Sequence, residues 1–224
     1  MTRTTPQDDP HGGRPVLRAG RPLDEARAAA VLVHGRGAGA RDILALGAEL
    51  PPPGRAWDLA FLAPDAARST WYPYSFLSPI ERNQPWLDSA LAFLDRVIAE
   101  AEAAGVPAER TVLLGFSQGA CLAAEYAARH PKRYGALIVF TGGLIGPPGH
   151  RFEAAGDLAG TPVYLAAGDP DPHVPWSRVE ETAEVLRKLG AAVEIERFPG
   201  LPHTVARQEI VKARELVAQV LDGG

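Results

Sequence analysis

The stretch TVLLGFSQGACLAAEYAARH, from Thr111 to His130, limits the fold of this chain more than any other. It is apolar and rich in strand formers up to Phe116, then shows apolar residues three and four apart, so a buried strand feeds directly into a helix. At the change stands a lone hydroxyl, Ser117, between Gly115 and Gly119. A turn this tight forces Ser117 into a strained backbone conformation and lifts its side chain above the sheet edge. The glycines remove the β-carbons that would strike the neighbouring strand and helix. A helix cap would account for the serine, but not for glycines on both sides. The pattern implies a serine placed to attack, with the N–H of Gln118 available to a developing oxyanion. Cys121, one turn further on, reads as a small core residue.

The rest of the chain repeats this alternation. Strands are predicted for AAVLVH near residues 29–34, LAFLAP from Leu59, GALIVFT from Gly135, TPVYLAAG from Thr161 and AVEIERF from Ala192, with RPVLRAG near Arg14 as a weaker edge strand. Helices are predicted for RDILALGAEL from Arg41, for a long segment from Pro85, and for segments from Ser117, Trp176 and His203. Gly105, Gly190 and Pro131 supply helix stops. Near-continuous apolar strands alternating with helices specify an α/β fold: a mostly parallel, doubly wound sheet with helices on both faces, binding ligands beyond the carboxyl ends of its strands. The segment from Arg68 to Pro85 is long and aromatic for a plain connection, which marks it as a functional loop.

At 224 residues one domain is expected, spanning 14–224, with residues 1–13 as a polar, disordered tail. The formal charge of −4 and 22% charged residues give no footprint for nucleic acid or an anionic membrane surface. No apolar run is long enough to span a bilayer, and the N-terminus lacks a signal-peptide pattern. The single cysteine excludes an intrachain disulfide, and no zinc-ligand spacing is present, so no metal is expected and a reducing cytoplasm is the expected compartment.

A serine hydroxyl needs a base, and the base needs an orienting acid. His203, in the loop FPGLPHTV after a late strand, is the predicted base. The loop AAGDPDPHVP supplies two competing acids, Asp169 and Asp171, and spacing alone leaves both open; the other is expected to stabilise the turn. His173 is expected to pack near the site, whereas His11, His130 and His150 fall where solvated or capping roles are ordinary. After the first strong strand, VLVHGRGAGARD brings three glycines together, and the N–H of Arg36 is the expected second oxyanion donor. A nucleotide-cradling reading of GRGAGA is disfavoured by Ala40 in the sixth position and by the lack of a suitably placed acid for a ribose.

With these residues in view, the chain resembles the phospholipase/carboxylesterase family of α/β-hydrolases, which includes bacterial carboxylesterases and acyl-protein thioesterases. The resemblance rests on LVHGRGA, TWYPYSFL, GFSQGACLAAEYAARHP, GDPDPHVP and GLPH, in family order. It implies an α/β-hydrolase fold and a triad of Ser117, Asp171 and His203, with Arg36 and Gln118 as oxyanion donors and no cofactor. The implied activity is acyl transfer from a small-molecule carboxylic ester or thioester to water through an acyl-enzyme. Two departures lie on the substrate face: HGRGA where thioesterase members read H-G-L-G-D, and GLPH where they read G-M-G-H. Substrate contacts are expected from Trp71, Tyr72, Tyr74, Phe76 and Leu77, with Leu144, Ile145 and Trp176 beside them. The alternatives are a lactonase or dienelactone hydrolase-like enzyme and a non-catalytic ligand-binding protein of the same fold. Neither a nucleic acid nor a membrane span is an expected partner, and a homodimer is left open.

Overall fold

The computed structural model describes residues 9–153 and 155–223; the beginning of the expected tail, residues 1–8, lies outside the described residues. In chain order the main elements are β1 (Val16–Gly20), β2 (Ala28–Val33), α1 (Ala40–Gly47), β3 (Leu59–Pro64), α2 (Trp86–Ala103), β4 (Thr111–Phe116) and α3 (Gln118–Arg129). They continue with β5 (Ala136–Phe140), β6 (Pro162–Asp169), α4 (Trp176–Lys188), β7 (Ala192–Pro199) and α5 (Arg207–Asp222). The strands form one sheet in the order β1-β3-β2-β4-β5-β6-β7. Only β1 runs antiparallel to its neighbour.

Strand β2 shows why its residues are apolar throughout. Ala29, Val31 and Val33 enter a core shared with α2, α3 and α4, whereas Ala28, Ala30 and Leu32 enter a second core under α1 and α5. Side chains alternate across a strand, so a strand covered on both faces has no position left for a polar residue. All six residues of β2 are buried, and so are all six of β3. No helix among the described residues is long and apolar enough to cross a membrane.

The strand order reverses between β2 and β4, since β3 lies on one side of β2 and β4 on the other. Such a reversal opens a crevice at the carboxyl ends, because the following connections leave in opposite directions. Val33 pairs with Gly115 across this boundary, so the loop starting at His34 and the turn at Ser117 leave the sheet side by side. Likewise Asp169 pairs with Pro199, which sends the segments after β6 and β7 out together.

Residues 9–13 depart from the expected tail. A turn closed by Gly12 N–H to Asp9 O and Arg14 N–H to His11 O carries His11 into the interior. The backbone N–H of His11 donates to Ser89 Oγ at 2.8 Å, its Nε2 lies 3.0 Å from Trp71 O, and its Nδ1 accepts from Ala67 N–H at 3.1 Å. Burial lowers the pKa of the ring, which suits a neutral imidazole donating at one nitrogen and accepting at the other. Its ring sits against those of Trp71 and Trp86. Composition suggested a solvated strand of polymer; long-range partners for nearly every polar atom of one histidine order it instead.

Candidate active site

Ser117 occupies the turn between β4 and α3 with φ 56° and ψ −119°, a backbone region that non-glycine residues rarely enter. Its N–H donates to Phe140 O at the end of β5. Both flanking glycines are required by close approach: a β-carbon on Gly119 would drive into the carbonyl of Val33, and one on Gly115 into the carbonyl of Gly119. The turn therefore holds the hydroxyl above the sheet edge without freedom to retreat.

His203 lies in the loop between β7 and α5, four residues before the helix begins at Arg207 rather than within a helix starting at 203. Its Nε2 is 2.8 Å from Ser117 Oγ and its Nδ1 is 2.7 Å from Asp171 Oδ2. An ionised carboxylate can only accept, so Nδ1–H donates to Asp171 and Nε2 is left to accept the serine proton. Phe116 packs against the same imidazole, with ring centroids 5.3 Å apart.

The two acids separate cleanly. Asp169 at the end of β6 pairs with Arg197 on β7, whereas Asp171 faces His203. Asp171 also makes the turn-stabilising bonds expected of its rival: its Oδ1 accepts the N–H groups of His173 at 2.7 Å and Val174 at 2.9 Å. Burial pushes this carboxyl up, but the two N–H groups and His203 outweigh that effect and hold it below the usual range. One carboxylate thus fixes its own loop with one oxygen and orients the imidazole with the other.

The expected oxyanion residues stand on the adjoining turns. Among the described residues, neither the backbone N–H of Arg36 nor that of Gln118 has a protein partner. Gly35 lies where the two turns meet: an added β-carbon would sit 3.3 Å from the Phe116 ring and 3.5 Å from the Ser117 β-carbon. Arg36, Ser117, Gln118 and His203 all border one open cavity of about 560 Å³.

Of the expected substrate residues, Tyr72, Tyr74, Phe76 and Leu77 line this cavity. Trp71, Leu144, Ile145 and Trp176 do not. Trp71 is wholly buried, its ring lying against His11, His34 and Phe93 and its Nε1–H donating to His34 O at 2.8 Å. Leu144 and Ile145 are core residues whose backbone groups bond to Thr182, Arg178 and Glu125. Trp176 lies under the Arg197 guanidinium, 5.6 Å from ring centroid to cation. A side chain in a loop or at a helix start has no periodicity to show whether it faces cavity or core, which is why the sequence did not separate these four.

Sequence reasoning did not assign cavity-lining roles to Pro73, Ser75, Cys121, Pro172 or Val174, and placed His173 only nearby; all six border the cavity. The His173 ring meets His203 edge to face at 4.8 Å. The available signal was Asp-Pro-His-Val-Pro itself, because an aspartate that bonds the N–H groups two and three residues ahead turns them back toward its own carboxylate. Cys121 is buried, and burial pushes its thiol up to about 12, which keeps it protonated and unreactive. Among the described residues no cluster of three or more His, Cys, Asp or Glu side chains is arranged to hold a metal.

Comparison with known proteins places residues 19–221 within the phospholipase/carboxylesterase family model. A phospholipase/carboxylesterase from Dyadobacter fermentans is 44% identical and superposes with a TM-score of 0.86, over 92% of this chain and 97% of that one. A probable carboxylesterase of Oryza sativa subsp. japonica is 26% identical, over 65% of this chain and 56% of its own length. Acyl-protein thioesterase 1 of Debaryomyces hansenii is 27% identical, over 52% and 50% respectively. The chain thus spans about half the length of the curated relatives it matches.

Proposed function

Because the chain belongs to the phospholipase/carboxylesterase family, we propose that it hydrolyses small-molecule carboxylic esters or thioesters with Ser117, His203 and Asp171 as its catalytic triad. The observation that carries this reading is the unbroken path from Ser117 Oγ through both imidazole nitrogens to a buried carboxylate, each step under 3 Å. Order along the chain, the strained serine and the bonded Asp171 all act to the same end.

In the reaction, His203 Nε2 takes the Ser117 proton while Oγ attacks the acyl carbon. The carbonyl electron pair moves onto oxygen, and the N–H groups of Arg36 and Gln118 hold that charge. Asp171 stabilises the imidazolium. When the tetrahedral species collapses, the bond to the alcohol or thiol breaks and His203 returns the proton to that leaving group. Water, deprotonated by the same imidazole, then releases the acid and restores Ser117. The fixed N–H groups need no reorganisation as charge appears, which is why such holes are effective.

A cavity of about 560 Å³ walled by Tyr72, Tyr74, Phe76 and Leu77 suits a short or medium acyl group. A reducing cytoplasm is the compartment this reading expects, supported by a lone, buried cysteine. The test is a panel of p-nitrophenyl esters and acyl thioesters of graded length, run beside Ser117→Ala. The variant is expected to lose about six orders of magnitude in kcat, and its burst of p-nitrophenol, while keeping its fold by circular dichroism. A retained burst, or fluorophosphonate labelling of the variant as strong as that of the wild type, would overturn the assignment.

A further inference from the structure

The side chains of the two oxyanion residues converge on one carbonyl. Arg36 Nη2 donates to Tyr72 O at 2.8 Å, and Gln118 Nε2 donates to the same oxygen at 2.8 Å. Thr70 Oγ1 adds a third donor at 2.9 Å. The Arg36 guanidinium extends this grip, with Nη1 donating to Pro73 O at 2.9 Å and Nη2 to Tyr74 O at 2.8 Å. Gln118 extends it in the other direction, its Oε1 accepting from Trp71 N–H at 3.0 Å.

Three successive carbonyls held by one planar cation form a rigid joint, since the fork geometry of guanidinium fixes its bonded partners relative to one another. Arg36 forms no ion pair among the described residues, whereas Arg14, Arg18, Arg21, Arg55, Arg129, Arg178 and Arg197 do. Its two terminal nitrogens bond the backbone of residues 72–74. Those residues run into the cavity wall, where Asn83 in turn holds Tyr74 N–H and Ser75 O at 2.9 and 3.1 Å.

We infer that the Arg36 side chain is a positioning residue: by sharing the Tyr72 carbonyl with Gln118, it fixes the separation of the two oxyanion N–H groups and locks that spacing to the substrate wall. This rests on the hydrolase reading above and adds to it a reason for arginine at this position. The backbones of residues 36 and 118 leave different strands and share no main-chain hydrogen bond with each other, so the joint at Tyr72 ties them together beyond the sheet. Misplacing a donor by about 1 Å can cost about a hundredfold in rate.

The test compares Arg36→Met, Arg36→Lys and Thr70→Val with the wild type. Arg36→Met keeps the stem and the backbone N–H but removes every donor. It should lower kcat about 10- to 100-fold with KM changed by less than about threefold. Arg36→Lys, with fewer and unforked donors, should recover part of the loss. The inhibition constant of a trifluoromethyl ketone reads the hole directly. Ser117 Oγ adds to its carbonyl carbon, the serine proton passes to His203, and the charge rests on the former carbonyl oxygen. That constant should rise in step with the fall in kcat/KM, while binding of the unreactive methyl ketone stays near wild type. Since Thr70→Val strips a donor from the same carbonyl, the double variant should cost less than the product of the two single losses. Wild-type kcat and trifluoromethyl ketone affinity in Arg36→Met, or a loss confined to KM, overturns the inference while leaving the triad intact. Failure of the wild type to accept fluorophosphonate at Ser117 overturns both. If Arg36→Met does not fold, Arg36→Lys and Thr70→Val give the same readouts.

Discussion

Across one cavity, the wall that carries Ser117 and His203, with Asp171 behind them, faces the wall built from residues 72–77, and the chain holds the two by different means. On the first, strand register does the placing: Val33 pairs with Gly115, Phe116 with Phe140 and Asp169 with Pro199, so each loop leaves the sheet at a fixed height beside its partner. On the second there is no strand. Side chains from distant elements bind its backbone: Arg36, Gln118, His11 and Asn83 all bond to main-chain groups between Ala67 and Ser75. A register-held wall admits little variation, since a slip of one residue reverses every side chain. A wall held by side-chain donors can be reshaped by single substitutions, which suits the side proposed to meet the substrate.

Breaking the register-held wall should have the largest effect. Asp171→Asn is expected to lower kcat about ten-thousandfold, because the amide can present an N–H to Nδ1 and so stabilise the wrong tautomer. Asp169→Asn, two residues away but paired with Arg197, should stay within about tenfold of wild type by the same measurement, as an exposed pair contributes little. Comparable losses in both would mean that register does not select the acid.

The second wall is sharpened by His11→Ala. Losing the buried ring removes contacts with Trp71 and Trp86 and two hydrogen bonds, so urea titration should show about 2–3 kcal/mol of lost stability. The acyl-length preference should shift with it, since Trp71 leads into the cavity wall. A variant with unchanged midpoint and unchanged preference would detach the N-terminal turn from that wall.

The smallest expected effect lies behind His203. Glu209 caps the start of α5 by accepting the Ala206 N–H, three residues beyond His203. Burial, opposed by that bond and reinforced by Glu196, raises its carboxyl from 4.5 to about 7. A raised acid binds its proton more tightly when folded, so its contribution to stability is complete below about pH 4.5 and is lost as pH rises through about 7. Glu209→Gln should therefore flatten the decline of Tm over that interval by a few degrees. An identical decline in both proteins would assign it to other groups.

How far the sequence could be read differs in the same way between the walls. Ser117, His203 and the strands beneath them announce themselves through local pattern: apolar period, flanking glycines and loops at strand ends. The alternation of Ala28 to Val33 into two cores follows from the same pattern. Asp171 needed more, since Asp169 has the same chemistry two residues away. His11 and Trp71 were misread, one as solvated tail and the other as cavity lining, because polarity and loop position say nothing about partners 60 or more positions distant.

Sequence alone determined the α/β alternation, the serine on its strained turn and the histidine behind the last strand, because these depend on interactions between near neighbours in the chain. The family resemblance pointed to Asp171, which spacing left open beside Asp169; tertiary structure alone decided which aromatics line the cavity, and that Arg36 and Gln118 share the Tyr72 carbonyl. Those outcomes depend on where separate strands end relative to one another, a quantity set by the packing of the whole sheet and written in no single segment.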